Sequence, residues 1–243
     1  MEAWGITDVG MVRQQNQDYY DIVQLPDGGL LCTVCDGMGG AKSGNVASRL
    51  ACEVFVDEVK RAFRTGAGRE AWEQILRSAV ELANRTVYEQ SKLDAAFDGM
   101  GTTLVAAVVW PTQAIVVNVG DSRAYHMDLT GICRITTDHS VVEDMVRRGE
   151  LTPQQARVHP RKNLITRAVG TEQTVACDVF YQQLKPSDAL LLCSDGLSNT
   201  VSEQEILFEV VHGVRRESCC ERLLTIANNA GAPDNVTMIL VTV

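Results

Sequence analysis

Four apolar runs of strand length each meet an aspartate. Leu30 to Cys35 runs into Asp36-Gly37, and Ala114 to Val119 leads through Gly120 to Asp121. Ala189 to Cys193 leads through Ser194 to Asp195-Gly196, and Val236 to Val243 begins just after Asp234. A single Asp-Gly after a strand reads as a turn, because Asp bonds its own backbone and Gly supplies positive φ. Four such junctions carry a stronger constraint. If the strands converge, like charges raise one another's pKa unless a cation neutralises them. Ligands that are all oxygen select hard ions, Mg²⁺ or Mn²⁺, over zinc.

Composition narrows the class. With 243 residues, 45% hydrophobic and 22% charged, the chain can bury a large core as one domain spanning 1–243. A net charge of −9 with no Lys/Arg run longer than two argues against nucleic acid, which needs a basic stripe. No stretch approaches the roughly 20 apolar residues of a membrane span, and the N-terminus lacks the basic and apolar regions of a signal peptide. A cytoplasmic protein is expected. Cys32, Cys35, Cys52, Cys133, Cys177 and Cys193 lie in apolar stretches and are expected to be buried and free. Cys32 and Cys35, three apart on a strand, point to opposite faces, which disfavours a zinc or redox pair.

Periodicity predicts strands at Trp4 to Val9, Tyr20 to Gln24 and Leu30 to Cys35, the last two joined by Pro26-Asp27-Gly28-Gly29. Two long helices follow, Gly44 to Phe63 and Arg69 to Lys92, broken by Gly66 and Gly68. Strands resume at Thr103 to Trp110, Ala114 to Val119, Arg123 to Met127 and Ile132 to Ile135. A helical stretch from Ser140 to Gly149 and a short helix capped by Thr152-Pro153 come next. Strands at Val175 to Gln182 and Ala189 to Cys193 precede a helix opened by the Ser202–Glu205 capping box. A helix at Ser218 to Ala230 and a strand at Val236 to Val243 close the chain. The grouping implies α+β layering, antiparallel sheet with helices packed outside.

Eight motifs occur in order: Arg13 to Asp18 (RQQNQD), Val34 to Gly40 (VCDGMGG), Gly101-Thr102-Thr103, Asn118 to Tyr125 (NVGDSRAY), Thr136 to Ser140 (TTDHS), His159 to Thr171, Cys193 to Asn199 (CSDGLSN) and Asp234 to Thr237 (DNVT). Together they resemble the type 2C metal-dependent serine/threonine protein phosphatases, compact bacterial members above all. The resemblance implies a four-layer α-β-β-α sandwich, two central antiparallel sheets flanked by helices, with a metal centre at one edge. It implies hydrolysis of phosphoserine and phosphothreonine in proteins by direct attack of a metal-bridging water, with no phosphoenzyme. The implied cofactors are two Mn²⁺ or Mg²⁺ ions, with a third at a weaker site. The implied partners are phosphorylated proteins and an opposing serine/threonine kinase with its targets.

By the same resemblance, Asp36 bridges two ions, Gly37 reaches one through its carbonyl, and Asp195 and Asp234 hold the other. Asp121, with Asp195, is implied at the third ion, beside a plain turn-shaping reading of equal weight. Asp18 lies behind the metals and orients a bound water, its alternative being a strand-entry cap. Arg13 grips phosphate, since a guanidinium presents a planar fork to two oxygens. Gly39 and Gly40 allow a tight turn beside the metals. Thr102 and Thr103 are expected to support a strand start.

Two residues depart from the family pattern. Met38 stands where many eukaryotic relatives carry a histidine, and it cannot donate a proton to the leaving group. Gln17 stands where relatives often have Glu. Leaving-group protonation then falls to a metal-bound water or to another residue; His139 and His159 bracket a segment resembling the family's flap, and His159 is one candidate for that residue. A silent phosphoprotein-binding module is disfavoured, because a scaffold has no use for mutually repelling carboxylates. A phosphatase restricted to one regulatory partner stays open.

Overall fold

A computed structural model describes residues 1–39, 43–213 and 215–243. The expectation for Gly40 lies outside these described residues. In chain order the elements are β1 (Glu2–Asp8), β2 (Asp18–Gln24), β3 (Leu30–Met38), α1 (Gly44–Ala62), α2 (Arg69–Leu93), β4 (Gly101–Thr102), β5 (Leu104–Trp110), β6 (Gln113–Val119), β7 (Arg123–Asp128) and β8 (Gly131–Arg134). Then follow α3 (Val141–Arg147), α4 (Pro153–Arg157), β9 (Asp178–Gln183), β10 (Ala189–Cys193), α5 (Asp195–Ser198), α6 (Glu203–His212), α7 (Cys219–Asn229) and β11 (Val236–Thr242).

The strands form two antiparallel sheets, ordered β1-β11-β10-β7-β8 and β2-β3-β5-β6-β9, with β4 attached to β3. Both faces of each sheet are covered, so central strands read as continuous apolar runs rather than alternating ones. In β5, Leu104, Ala106 and Val108 face the helical layer of α1 and α2, while Val105, Ala107 and Val109 face the other sheet. Leu190, Leu192, Ile239 and Val241 fill the same inter-sheet layer from β10 and β11, and their neighbours Leu191, Met238 and Leu240 pack toward α6 and α7. Each such side chain, fully buried, contributes about 1.5–3 kcal/mol. The helices cover the sheets through stripes at helical spacing: Ala47, Ala51, Phe55 and Val59 on α1, Leu76, Ala79, Ala83 and Val87 on α2. This is the four-layer sandwich that the motifs imply.

Local signals set several ends. Ser140 caps α3 by accepting the Glu143 amide, and Thr152-Gln155 and Ser202-Glu205 form reciprocal capping boxes. The helix expected to run to Gly149 stops at Arg147, because Gly149 turns to φ +73° and bonds back to the Val146 carbonyl. The strand expected from Val175 begins at Asp178, where its ladder to β6 starts at the Asn118–Asp178 pair, just before β6 turns at Gly120. Strand β3 continues past Cys35 to Met38, since Asp36 pairs with Asp18, Gly37 with Thr102 and Met38 with Gly101. All eight cysteines are free, and Cys32 and Cys35 do face opposite layers. Cys133 departs from expectation: it lies on the edge strand β8, where no further strand covers it, and is exposed.

Because neighbouring strands are antiparallel, the end of β3, the start of β2, the end of β10, the start of β11 and the β6–β7 turn share one edge of the sandwich.

Candidate metal centre and active cleft

Asp18 and Asp36 stand opposite each other in the β2–β3 register, so both carboxylates lie on one face. The backbone of Asp36 is clamped. Its amide donates to Thr103 Oγ1 (2.9 Å), and its carbonyl accepts from Thr102 Oγ1 (2.9 Å) and the Thr103 amide (2.9 Å). The two threonines therefore support the strand end and fix the aspartate. Asp18 is buried; its Oδ2 accepts from Ser194 Oγ (2.8 Å), while Oδ1 has no hydrogen-bond partner. Gly37 donates to the Gln17 carbonyl (3.0 Å), and a Cβ there would meet the Gly44 carbonyl at 2.0 Å, so only glycine fits.

The Asp195 and Asp234 segments are built against each other. Ser194 donates its amide to the Thr237 carbonyl and accepts the Thr237 amide on Oγ, both at 3.0 Å, which fixes the end of β10 to the start of β11. Asp195, read from sequence as part of a turn, is the first residue of the four-residue α5. One of its oxygens accepts from Asn199 (3.0 Å), and Oδ1 is buried without a partner. Gly196 lets the segments close, because a Cβ at that position would lie 1.9 Å from the Asn235 carbonyl. Asn235 in turn donates to the carbonyls of Val9 (2.9 Å) and Gln15 (3.0 Å) and accepts from the Gln17 amide (2.8 Å). It pins the 9–17 loop that carries Arg13, whose Nη2 lies 2.7 Å from Asp234 Oδ2.

Asp121 follows Gly120, which takes φ +105° with Thr103 so close that a Cβ would lie 2.6 Å from its methyl group. Thr103 Oγ1 and Ser122 Oγ are 2.7 Å apart, linking this turn to the Asp36 clamp. Arg123 grips Asp138 through Nε and Nη2 at 2.6–3.1 Å, anchoring the turn from the other side.

Arg13, Asp36, Gly37, Asp121, Asp195 and Asp234 all line one cleft of about 250 Å³, with Asp18 lying behind it. Loss of water dominates the electrostatics. Burial, reinforced by Asp18, Asp195, Asp121 and Asp234, drives the Asp36 carboxyl well above its ordinary range. Burial pushes Asp18 up to about 7 against the bonds from Thr237 and Ser194, and Asp121 up to about 8 with help from Asp195 and Asp138. Asp195 rises to about 6 through burial and the nearby Asp234. Crowded carboxylates with protons held this tightly, two buried oxygens without donors, and an all-oxygen donor set fit hard divalent cations.

A larger cavity of about 680 Å³ shares Asp121 and Asp195 with the cleft and opens between α4 and α6. From the flap, Asn163 and Ile165 line the cleft itself. His159 lines neither cavity; its Nδ1 accepts the Arg161 amide (3.1 Å) in a local turn, so the substitution for a position-38 acid gains no geometric support. Gly39 takes φ +142° at the cleft wall. Sequence reasoning passed over Ser194, Asn235 and Asn163. Ser194 and Asn235 did carry a signal, as polar residues inserted where apolar strands end. Among the described residues, one His/Asp group has its ligating atoms mutually within 4.8 Å, His126, Asp128 and Asp188, at the opposite end of β7 and β10. Its atoms are already engaged: His126 pairs with Asp188 (2.8 Å), and Asp128 Oδ1 accepts three bonds from Thr130 and Gly131.

A layered sandwich with an acidic cleft at one sheet edge is the architecture of the metal-dependent phosphatases. Residues 12–224 match the family described as Protein phosphatase 2C. The chain is 39% identical over 246 residues to the serine/threonine phosphatase stp of Listeria monocytogenes, covering 99% of this chain and 95% of that one. It is 36% identical over 242 residues to the protein phosphatase PhpP of Streptococcus pneumoniae, covering 99% and 97%. The crystal structure of the serine/threonine phosphatase Stp1 from Staphylococcus aureus superposes with TM-score 0.92 at 37% identity, covering 100% of this chain and 94% of that one. The chain belongs to the protein phosphatase 2C family, whose members depend on metal.

Proposed function

We propose that the cleft holds two divalent cations, Mn²⁺ or Mg²⁺, on Asp36, Gly37, Asp195 and Asp234, with a third at Asp121 and Asp195, and that water attacks phosphorus directly with no phosphoenzyme. Family membership carries the coarser statement: the chain is a serine/threonine protein phosphatase of the 2C type. We read residues 1–243 as one catalytic domain, supported by sheets that each combine strands from both halves of the chain. The single observation behind the metal reading is that Asp36, Asp121, Asp195 and Asp234, far apart in sequence, open onto the same cleft with Asp18 beneath them.

When bound, divalent cations supply an acidified water near neutral pH and neutralise charge on the phosphoryl oxygens. The chain's own residues do the rest. Thr102 and Thr103 hold Asp36 still, so its carboxylate needs little reorganisation. Ser194 holds one oxygen of Asp18 and leaves the other free to accept a bond from a water in the cleft. Arg13 pairs with Asp234 at the rim, half exposed. Were Asp234 to hold a cation, the Arg13 guanidinium would be released from this pair and could present its planar fork to two phosphate oxygens. Met38 offers no proton, so protonation of the leaving group falls to water held at the centre or to another residue.

The partners in this reading are phosphorylated proteins, with an opposing serine/threonine kinase, and the setting is cytoplasmic. Supporting it, no helix among the described residues is long and apolar enough to cross a membrane. Hydrolysis of p-nitrophenyl phosphate and a phosphothreonine peptide with Mn²⁺, and its loss with chelator, tests the reading. No turnover of either substrate at any metal concentration would favour a binding module instead.

A further inference from the structure

Gly120, one residue ahead of Asp121, is held twice by a single residue. Its amide donates to His139 Nδ1 (3.1 Å), and its carbonyl accepts from the His139 amide (2.9 Å). Among the described residues no further partner holds the Gly120 amide, because the β6 ladders end at Val119 toward β5 and at Asn118 toward β9. With Nδ1 accepting, the neutral imidazole carries its proton on Nε2. That nitrogen lies 3.2 Å from Asp178 Oδ2. Arg167 Nη1, a donor only, lies 3.1 Å from Nε2 and takes Asp178 Oδ1 as its acceptor at 3.2 Å. The His139 carbonyl accepts the Thr166 amide (2.7 Å), beside the Ser140–Ile165 bridge. His139 is 6% exposed, and burial lowers its pKa, which favours the neutral form this pattern needs.

One buried histidine thus touches two parts of the cleft wall: the turn presenting Asp121 and the strap carrying Asn163 and Ile165. We propose that His139 is a positioning residue for the metal centre, its Nδ1 fixing the Gly120 amide so that Asp121 faces the cleft, and its carbonyl and Nε2 tying that turn to the strap. The inference rests on the reading of Asp121 as a cation ligand. It assigns His139 no contact with substrate or cation.

Asparagine and glutamine separate the two ring nitrogens. His139→Asn keeps an acceptor where Nδ1 stands, whereas His139→Gln keeps a polar group near Nε2 and removes that acceptor. Mn²⁺ binding by calorimetry, without substrate, is compared across the full-length wild type, H139N, H139Q and D121N, alongside each melting temperature. The expected result is binding at the Asp121-dependent ion weakened by about tenfold in H139Q, the scale of an outer partner's loss, and weakened further in D121N, which removes the ligand itself. H139N is expected to stay within about twofold of wild type while melting at the same temperature as H139Q. Equal losses in H139N and H139Q, or none in H139Q, would overturn the inference and leave Asp121 as a ligand. Wild-type binding in D121N would instead remove the ligand reading, and the inference with it. A second measurement needs no variant: in ¹⁵N-labelled wild type, the Gly120 amide nitrogen and His139 Nδ1 are expected to show a coupling across their hydrogen bond. Its absence would contradict the clamp outright.

Discussion

Asp18 and Asp36 face each other across the β2–β3 ladder, so one step of strand register sets two carboxylates on the same side of the sheet. A one-residue slip would turn one of them into the opposite layer. The register is secured elsewhere, by Cys32 and Val34 and their β2 partners Ile22 and Tyr20, which pack in the inter-sheet core, and the acidic edge inherits it.

Neutralising Asp36 tests this coupling. Asp36→Asn is expected to abolish Mn²⁺ binding at the shared position and lower turnover of p-nitrophenyl phosphate by roughly 10³-fold or more, as loss of a preorganised charge does. The chelated variant is expected to melt at or above the wild-type temperature, since folding no longer buries a carboxyl whose ionisation is opposed by desolvation and four neighbouring aspartates. Turnover and melting curves with and without Mn²⁺ check both halves.

The raised acids also fix a pH dependence. Between the unfolded value of 3.8 and the folded values of about 6, 7 and 8 for Asp195, Asp18 and Asp121, the native state binds more protons than the unfolded one. Stability of the metal-free protein therefore falls as pH rises across that window. Melting in chelator is expected to drop from pH 5 to pH 8, and saturating Mn²⁺ is expected to remove or reverse the slope, because the cation displaces those protons.

Arg13 is expected to act on substrate rather than on metal. Arg13→Ala should lower kcat/KM for a phosphothreonine peptide by about 10- to 100-fold, the scale of a charge-assisted hydrogen bond. The Mn²⁺ concentration for half-maximal activity should stay level or fall, because Asp234 loses its competing partner. Steady-state kinetics across a Mn²⁺ series separates the two effects.

Gly196→Ala places a methyl group against the Asn235 carbonyl, 1.9 Å from its ideal position. The expected destabilisation is about 1–3 kcal/mol, typical of overpacking. Mn²⁺ affinity is expected to fall with it, since Asp195 and Asp234 flank the contact. Chemical denaturation and calorimetry measure the pair.

The layers and the aspartates were legible because each rests on a local pattern: apolar strand runs, helical stripes, capping boxes, and an acid at a strand end. What stayed hidden depends on distant partners. Nothing in Leu30 to Met38 says that β3 passes through Asp36, since the pairing that extends it comes from Asp18 and Thr102. Cys133 sits in an apolar run, yet β8 is an edge strand, and edge status is a property of the sheet. His159 looked like a substitute acid by motif position, while its Nδ1 is taken by a turn only two residues long. Ser194 and Asn235 matter because they bond across the β10–β11 ladder and the 9–17 loop, contacts 43 and 218 residues apart.

Anomalous diffraction at the manganese edge from crystals soaked in Mn²⁺ probes the centre most directly. The expected map has two strong peaks within reach of Asp36, Asp195 and Asp234, with a weaker third beside Asp121. Peaks only at His126, Asp128 and Asp188, or none near Asp36, would contradict the metal-centred account.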